Sequence, residues 1–411
     1  MESGEILDLD VTGVAHGGVF VARHHEAEGE RPLVVFVPDA IPGERVRVRV
    51  TQVKKSFARA EALEILEASP HRAPHVWRQA GLDEDRAGRP GGADFGHIAL
   101  AHQRKLKAEV LRDAFARFAD LPVDVEVESA GDDETPSGTR WRTRVGLHVD
   151  ASGRVGPYAA RSHEVVEVAE HPLATAAIER VALQLRDERE GRIDLVQPAD
   201  GEVRVLRRPD GRGFRRARPE VVTERVGERT FRVDAGGFWQ VHRLAATALD
   251  AAVRDALAGL DAQPGAHHLD LYGGVGLFAA ALAEHGDGSR VTTVESAPRA
   301  TEHAARNLEG LGASAVTARV ERFLAGLDAD PALSRGVTLL DPPRAGAGAE
   351  VVSRIAGQDP HAVVYVACDP VALARDVGSF REHGFVVERL RAFDLFPNSH
   401  HVEAVAVLRR A

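Results

Sequence analysis

Residues 267–276, HHLDLYGGVG, decide the fold class. An apolar strand ends at Tyr272 and runs into Gly273, Gly274 and Gly276, and VGLFAAALAEHG (275–286) then has the composition of a helix. Glycine at a strand-to-helix turn lets backbone amides approach a ligand closely at a helix N-terminus. The alternation continues downstream. RVTTVES (290–296) reads as a strand, APRATEHAARNLEGLG (297–312) as a helix ended by glycine, and GVTLLDPPRAG (336–346), AVVYVACDP (362–370) and HVEAVAVLRR (401–410) as further strands. Strands alternating with helices predict a doubly wound α/β sheet over 231–411, with ligands at the carboxyl ends of its strands.

Upstream the pattern differs. ILDLDVTGVA (6–15), GVFVARH (18–24), PLVVFVPDA (32–40) and RVRVRVTQVKKSFARAEALEILE (45–67) are β-branched and partly alternating, with Gly13, Gly17, Gly18, Pro38, Pro42 and Gly43 as punctuation. Several short strands in so short a span predict a small barrel, with Lys54, Lys55 and Arg59 as its basic end. The segment resembles a TRAM domain, a barrel of the oligonucleotide-binding (OB) type. Residues 69–98 are rich in Pro, Gly and His, and LAHQRKLKAEVLRDAFARFADL (100–121) has helical spacing. Residues 121–230 are strand-rich with charged turns. The expected organisation is therefore a barrel at 1–68, an α+β central domain from 69–98 and 121–230, and the α/β domain from 99–120 and 231–411.

Composition narrows the class. The chain has 411 residues and a formal charge of −10, so any nucleic-acid contact must come from local patches. Residues 203–218 (VRVLRRPDGRGFRRAR) hold seven arginines against one aspartate, and Arg140, Arg142 and Arg144 alternate as in a strand. A solvated strand face and hairpin tip is the other account of both. No apolar run approaches the ~18 residues of a membrane span. The acidic start MESGEILDLDV lacks the features of a signal peptide, so a cytoplasmic protein is expected. One cysteine rules out an intramolecular disulfide.

That cysteine, Cys368, follows a strand in YVACDPVALARD (365–376) and precedes a helix, where the local dipole favours a thiolate. Glu403 opens the last strand after FDLFPNSHH (393–401), a candidate general base; a surface glutamate on an edge strand is the plainer alternative. Glu295 ends the second strand, about 20 residues past the glycine turn, where a carboxylate accepts hydrogen bonds from ribose hydroxyls. A glycine turn suits dinucleotides and S-adenosylmethionine alike, but the full G-x-G-x-x-G is missing, which favours the methyl donor. Asp341, before Pro342 and Pro343, ends an apolar strand facing the cleft. A cysteine and a base together suit methylation of uracil at C5. Thiolate addition at C6 makes C5 nucleophilic, and the base then removes the C5 proton so that the cysteine can leave.

With these motifs in order, the chain resembles the bacterial RNA 5-methyluridine methyltransferase family from end to end: the TRAM-like barrel, the central domain, then FWQVH, DLYGGVGLF, VES, LLDPPRAG, YVACDPVALARD and FDLFPNSHHVE. The resemblance implies a class I, Rossmann-like methyltransferase domain, Cys368 as nucleophile and Glu403 as proton acceptor. It also implies that Gln240, Tyr272, Glu295 and Asp341 contact S-adenosylmethionine, with Gln240 and Asp341 near the base. The implied partner is RNA presenting a single-stranded or flipped-out uridine, ribosomal RNA before transfer RNA. No motif marks an interface, so a monomer is the default expectation. Three departures stand out. Many relatives hold a [4Fe–4S] cluster on four cysteines, two of them in a C-G-G-C-x-x-Q-H type segment. Here that segment is RPGGADFGH (89–97), with Pro90 and Ala93 at the two cysteine positions and Trp77 and His171 at the other two. No cluster is expected, and packing around Trp77 and Phe95 must hold the loop. Leu277 replaces an asparagine of some relatives, and Arg319 stands where an acidic or amide residue often meets adenine. Two other readings remain open: an RNA-binding homologue without activity, and methylation of an exocyclic amine, which the sequence DPPR also suits.

Overall fold

The computed structural model describes residues 1–25, 32–131, 134–210, 219–285, 288–328 and 330–411. Strands β1 (Ile6–Ala15), β2 (Val19–His24), β3 (Leu33–Val37), β4 (Arg45–Val53) and β5 (Phe57–Glu67) close into a barrel in the order β1-β2-β3-β5-β4. The run RVRVRV in β4 shows why. Val46, Val48 and Val50 turn inward and are fully buried, while the intervening arginines face out. The register sets Arg47 between Asp8 and Glu64, and its guanidinium meets both, at 2.9 Å and 3.0 Å. Exposed pairs of this kind add little stability, but opposite charges across neighbouring strands agree with this register and oppose others. Lys54, Lys55 and Arg59 lie exposed at and just after the β4–β5 turn.

The next segment seals the barrel's end. Phe95, Ile98 and Leu106 join the barrel core. Buried Glu44 receives the Arg72 guanidinium through two hydrogen bonds, at 2.6 Å and 2.7 Å, and also the backbone amides of Ile41 and Ser69. A buried carboxylate satisfied on all sides fixes how the chain leaves the barrel. Helix α1 (Leu100–Phe118) follows, and β6 (Val127–Ser129) comes after it.

The central part comprises β7 (Arg144–Val149), β8 (Val155–Gly156), α2 (Ala176–Ala182), β9 (Gly191–Val196) and β10 (Arg204–Pro209), with the sheet ordered β10-β9-β7-β8. Strands β11 (Val221–Val226) and β12 (Arg229–Asp234) form a separate hairpin. One sequence expectation is corrected here. Arg140, Arg142 and Arg144 do not alternate along one strand: Arg140 has a left-handed φ of 63°, Arg142 makes only isolated bridges, and β7 starts at Arg144. Arg140 pairs with Glu179 and Arg144 with Glu224, so these charges tie elements together. In the arginine-rich stretch, Arg204 pairs with Asp200 and Glu220, Arg207 with Glu188 and Arg208 with Asp194. The other four arginines of that stretch lie outside the described residues.

The rest of the chain builds the large sheet. It adds α3 (Ala245–Ala258), β13 (His267–Leu271), α4 (Leu277–Ala283), β14 (Arg290–Glu295), α5 (Pro298–Asn307), β15 (Ala313–Thr317), α6 (Val320–Ala325) and α7 (Pro331–Ser334). Then come β16 (Val337–Leu340), α8 (Ala349–Gly357), β17 (Ala362–Ala367), α9 (Pro370–Glu382), β18 (Phe385–Asp394) and β19 (Glu403–Arg410). The strand order is β15-β14-β13-β16-β17-β19-β18-β6. From β15 through β17 neighbours are parallel, whereas β19 runs antiparallel between β17 and β18. Strand order reverses between β13 and β16, so the cleft opens above their carboxyl ends. Strand β17 is buried along its whole length, as a strand covered by helices on both faces must be. No helix among the described residues is long and apolar enough to cross a membrane.

Helix α1 packs against α9 and β6, and two of its polar residues are buried for a reason. Gln103 exchanges hydrogen bonds with Asn398, donating to its Oδ1 at 2.9 Å and accepting from its backbone amide at 2.8 Å. Lys107 pairs with Asp394 and donates to the Phe396 carbonyl at 3.1 Å. Asn398 is fully buried at φ 65°, and its side-chain amide donates to the carbonyls of Ser137 and Gly138. The β18–β19 connection is thereby clamped along its length. Lys107→Met would leave Asp394 with only Arg104, at 3.4 Å, to balance it. Urea denaturation should show a loss of roughly 3 kcal/mol, and the double variant Lys107→Met/Asp394→Leu should recover part of it. A double variant as unstable as the single one would count against the ion-pair account.

Candidate active site

A cavity of about 820 Å³ opens at the carboxyl ends of the central strands. Gln240, Tyr272, Glu295, Asp341, Cys368 and Glu403 all line it, so the six residues singled out from the sequence meet in one place. Its floor is the β13–α4 turn. Tyr272 there has φ 63°, and Gly274 and Gly276 have φ of 54° and 92°. At Gly273 the requirement is spatial: a Cβ would stand 2.0 Å from Thr293 Oγ1 and 2.2 Å from Asp270 Oδ2. Gly274 has open space where a Cβ would lie, and its amide donates to Glu295 Oε2 at 3.3 Å. The other Glu295 oxygen accepts from the Ala297 amide at 2.7 Å and from Ser296 Oγ at 3.0 Å. Glu295 is thus held at the end of β14, beside the glycine turn. Leu277 is buried at the start of α4, and Arg319 lies exposed at the cavity's edge.

The second half of the site comes from the reversed strand. Ala367 of β17 faces Ala404 of β19, and one further step of that antiparallel register sets Cys368 opposite Glu403. Glu403 is buried within the sheet, since β19 has neighbours on both sides, so the surface edge-strand account does not hold. Asp341 follows β16 directly, its amide donating to the Leu271 carbonyl at 3.2 Å. Asp369 caps α9, its Oδ1 accepting from the Ala372 amide at 2.8 Å.

The electrostatics depart from the expectation of a thiolate favoured by a helix dipole. Burial pushes the Cys368 thiol up to about 12, and the neighbouring Glu403 and Asp341 push it the same way. Burial likewise raises Asp341 to about 7, with Asp270 adding to it. Glu403 is raised well above the usual carboxylate range by burial and then by Asp341. Arg344 is the cation that pulls both Cys368 and Glu403 downward. Burial and mutual repulsion oppose the ionisation of these three acids together, against the favourable effect of the helix dipole.

Sequence reading passed over three contributors to this cavity. Arg142 and Arg344 both line it, and burial lowers Arg142, with Arg344 adding to the effect. His401 lines it too, held down to about 3 by burial and then by His400 and Arg344. Signals existed in WRTR, DPPR and the His-His pair, yet only the folded chain brings them to one wall. Where relatives of the resembled family place cluster cysteines, Trp77 and His171 stand with ring centroids 5.9 Å apart, and Trp77 and Ala93 are buried in a small core with Trp141 and Leu173. Phe95 is buried in the barrel core instead.

Comparison with known proteins identifies the family and the fold. Residues 2–63 match the TRAM domain family, and residues 253–411 match the family described as tRNA (Uracil-5-)-methyltransferase. An "uncharacterized RNA methyltransferase" of Streptomyces avermitilis is 39% identical over 445 residues, covering 99% of each chain. The 23S rRNA (uracil(1939)-C(5))-methyltransferase RlmD of Shewanella denitrificans is 30% identical over 474 residues, covering 98% of this chain and 96% of its own. The crystal structure of Pyrococcus abyssi tRNA (uracil-54, C5)-methyltransferase in complex with S-adenosyl-L-homocysteine superimposes with a TM-score of 0.70 at 21% identity, covering 98% of this chain and 100% of that one. At that identity the likeness is one of fold.

Cys368 is the single thiol, so any alkylation reports on it alone. With a thiol raised this far, iodoacetamide should react slowly near neutrality and speed up roughly tenfold per pH unit up to at least pH 9.5. A rate that levels off near pH 8.5 would mean the neighbouring acids do not act on the thiol.

Proposed function

Because the chain belongs to the family of RNA uracil-C5 methyltransferases, we propose that it methylates C5 of a uridine through a covalent bond between Cys368 Sγ and C6 of the base. The observation that carries this reading is the β17–β19 register, which sets the only cysteine opposite a buried carboxyl above a glycine turn. Neither group is needed for methylation of an exocyclic amine. S-adenosylmethionine, when bound, supplies an electrophilic methyl group on a sulfonium centre.

The residues present suit that donor. Glu295, pinned beside the open face of Gly274, takes the ribose hydroxyls; Tyr272, Gln240 and Asp341 line the way from there to Cys368. A cationic ligand in this cavity also favours the ionised forms of its crowded acids. Asp341 and Gln240 face the base. Cys368 gives up its thiol proton to water, and the thiolate adds to C6, forming the S–C6 bond while the C5–C6 π pair moves onto C5 and O4 as an enolate. Once C5 carries the methyl group, Glu403 as carboxylate removes the C5 proton, the S–C6 bond breaks, and the uracil ring and the cysteine are restored. Arg344, beside both groups, stabilises the negative charge that moves between them.

Ribosomal RNA is the proposed substrate in preference to transfer RNA. Its support is the Shewanella relative, named for 23S rRNA and similar over nearly the whole of both chains.

Three outcomes test the reading. RNA carrying 5-fluorouridine, which has no C5 proton to lose, should form an adduct with the protein and S-adenosylmethionine that survives a denaturing gel. Cys368→Ala should abolish that adduct and methyl transfer while leaving RNA binding intact; an adduct that persists would exclude Cys368 as the nucleophile. Glu403→Gln should slow product formation by about 10²–10⁴-fold and accumulate adduct on ordinary uridine RNA, since addition proceeds and elimination does not. Single-turnover assays on 23S rRNA and tRNA transcripts decide the substrate, and the faster rate is expected with 23S rRNA.

A further inference from the structure

The turn between β1 and β2 of the barrel reaches the loops that carry the reacting groups. His16 Nε2 lies 3.2 Å from Asp369 Oδ2, on the residue next to Cys368. The other Asp369 oxygen caps α9, so the Cys-Asp-Pro turn is held between its own helix and the barrel. The His16 ring also meets the edge of His400, with centroids 6.4 Å apart. His400 in turn pairs with Asp94 at 2.6 Å and lies against His401, a wall of the cavity, at a centroid distance of 4.1 Å. Two residues beyond His401 stands Glu403. Gly18 shows how close this approach is: at φ 71°, a Cβ there would come within 2.9 Å of His400 Nδ1 and 3.2 Å of the Asp94 Cβ.

We infer that the barrel's β1–β2 turn is a positioning element of the active site, with His16 holding the turn that carries Cys368 and Gly18 permitting the seat of the loop that leads to Glu403. The catalytic role of those two groups is the reading given above, on which this rests. An RNA-binding module tethered only for affinity has no need to donate a hydrogen bond to the residue beside the nucleophile. Here both strand ends of the β17–β19 pair lean on one barrel turn, so displacing it moves the nucleophile and the base together. The barrel therefore acts on the rate of the chemical step as well as on RNA capture. His16 positions through Asp369 and does not itself meet the base.

The test uses the full chain and two readouts. His16 is half-exposed, so His16→Ala should fold normally. Releasing Asp369 frees the Cys-Asp-Pro turn, and iodoacetamide alkylation at pH 8.5 should rise at least about fivefold. His16→Gln, which can still donate to Asp369, should stay within about twofold of the parent rate. In single-turnover methylation at saturating RNA, His16→Ala and Gly18→Ala should each fall roughly tenfold or more, with RNA affinity nearly unchanged and His16→Gln restoring the rate. Alkylation unchanged in His16→Ala overturns the inference, and so does a methylation defect that appears only as weaker RNA binding. If alkylation depends on His16 while the parent protein methylates no uridine, the positioning role stands and the proposed reaction falls. The alkylation arm keeps the two failures apart.

Discussion

The antiparallel insertion of β19 between β17 and β18 is the constraint on which the site depends. In a purely parallel sheet, only residues that follow a strand stand at the carboxyl edge. A reversed strand brings its first residue to that edge, and the two-residue period of the ladder then decides which side chain faces the cavity. Glu403 reaches Cys368 in this way. A slip of one residue would turn Glu403 to the other face and bring Val402 or Ala404 into its place. The clamp on the preceding connection, through Gln103, Lys107 and Asn398, opposes such a slip.

Burial raises Cys368, Asp341 and Glu403, and the Arg344 guanidinium pulls Cys368 and Glu403 the other way. Burial thus works against ionisation of this thiol and of these two carboxyls. Protonated groups are cheaper to bury than a set of anions, because the desolvation cost of ionised groups is not incurred. A raised thiol also reacts slowly with electrophiles near neutral pH.

Much of this architecture was legible in the sequence, and the reasons are local. The glycine turn after HHLDL, the alternation of RVRVRV and the Cys-Asp-Pro step each carry their geometry within a few residues. The cysteine's environment was misjudged because its two strongest neighbours, Glu403 and Asp341, are distant in the chain and close only across the sheet. Arg140, Arg142 and Arg144 misled for a similar reason: spacing of two residues suggested a strand, but tertiary partners pull each one to a different place. Glu403 stood out as a candidate, yet its burial between two strands could not be read from a segment that looks equally like an exposed edge. His16 carried no signal at all, since a histidine in a Gly-rich turn gains meaning only when the barrel is docked.

The small core of Trp77, Ala93, Trp141 and Leu173, with His171 against Trp77, occupies positions where the resembled family often places a metal cluster. Rings and methyl groups hold a segment together through contacts that neither electrons nor small molecules alter. The order of this segment rests on the same kind of packing that holds the rest of the core. With Cys368 the single cysteine of the chain, this segment has no thiolates of its own to oxidise.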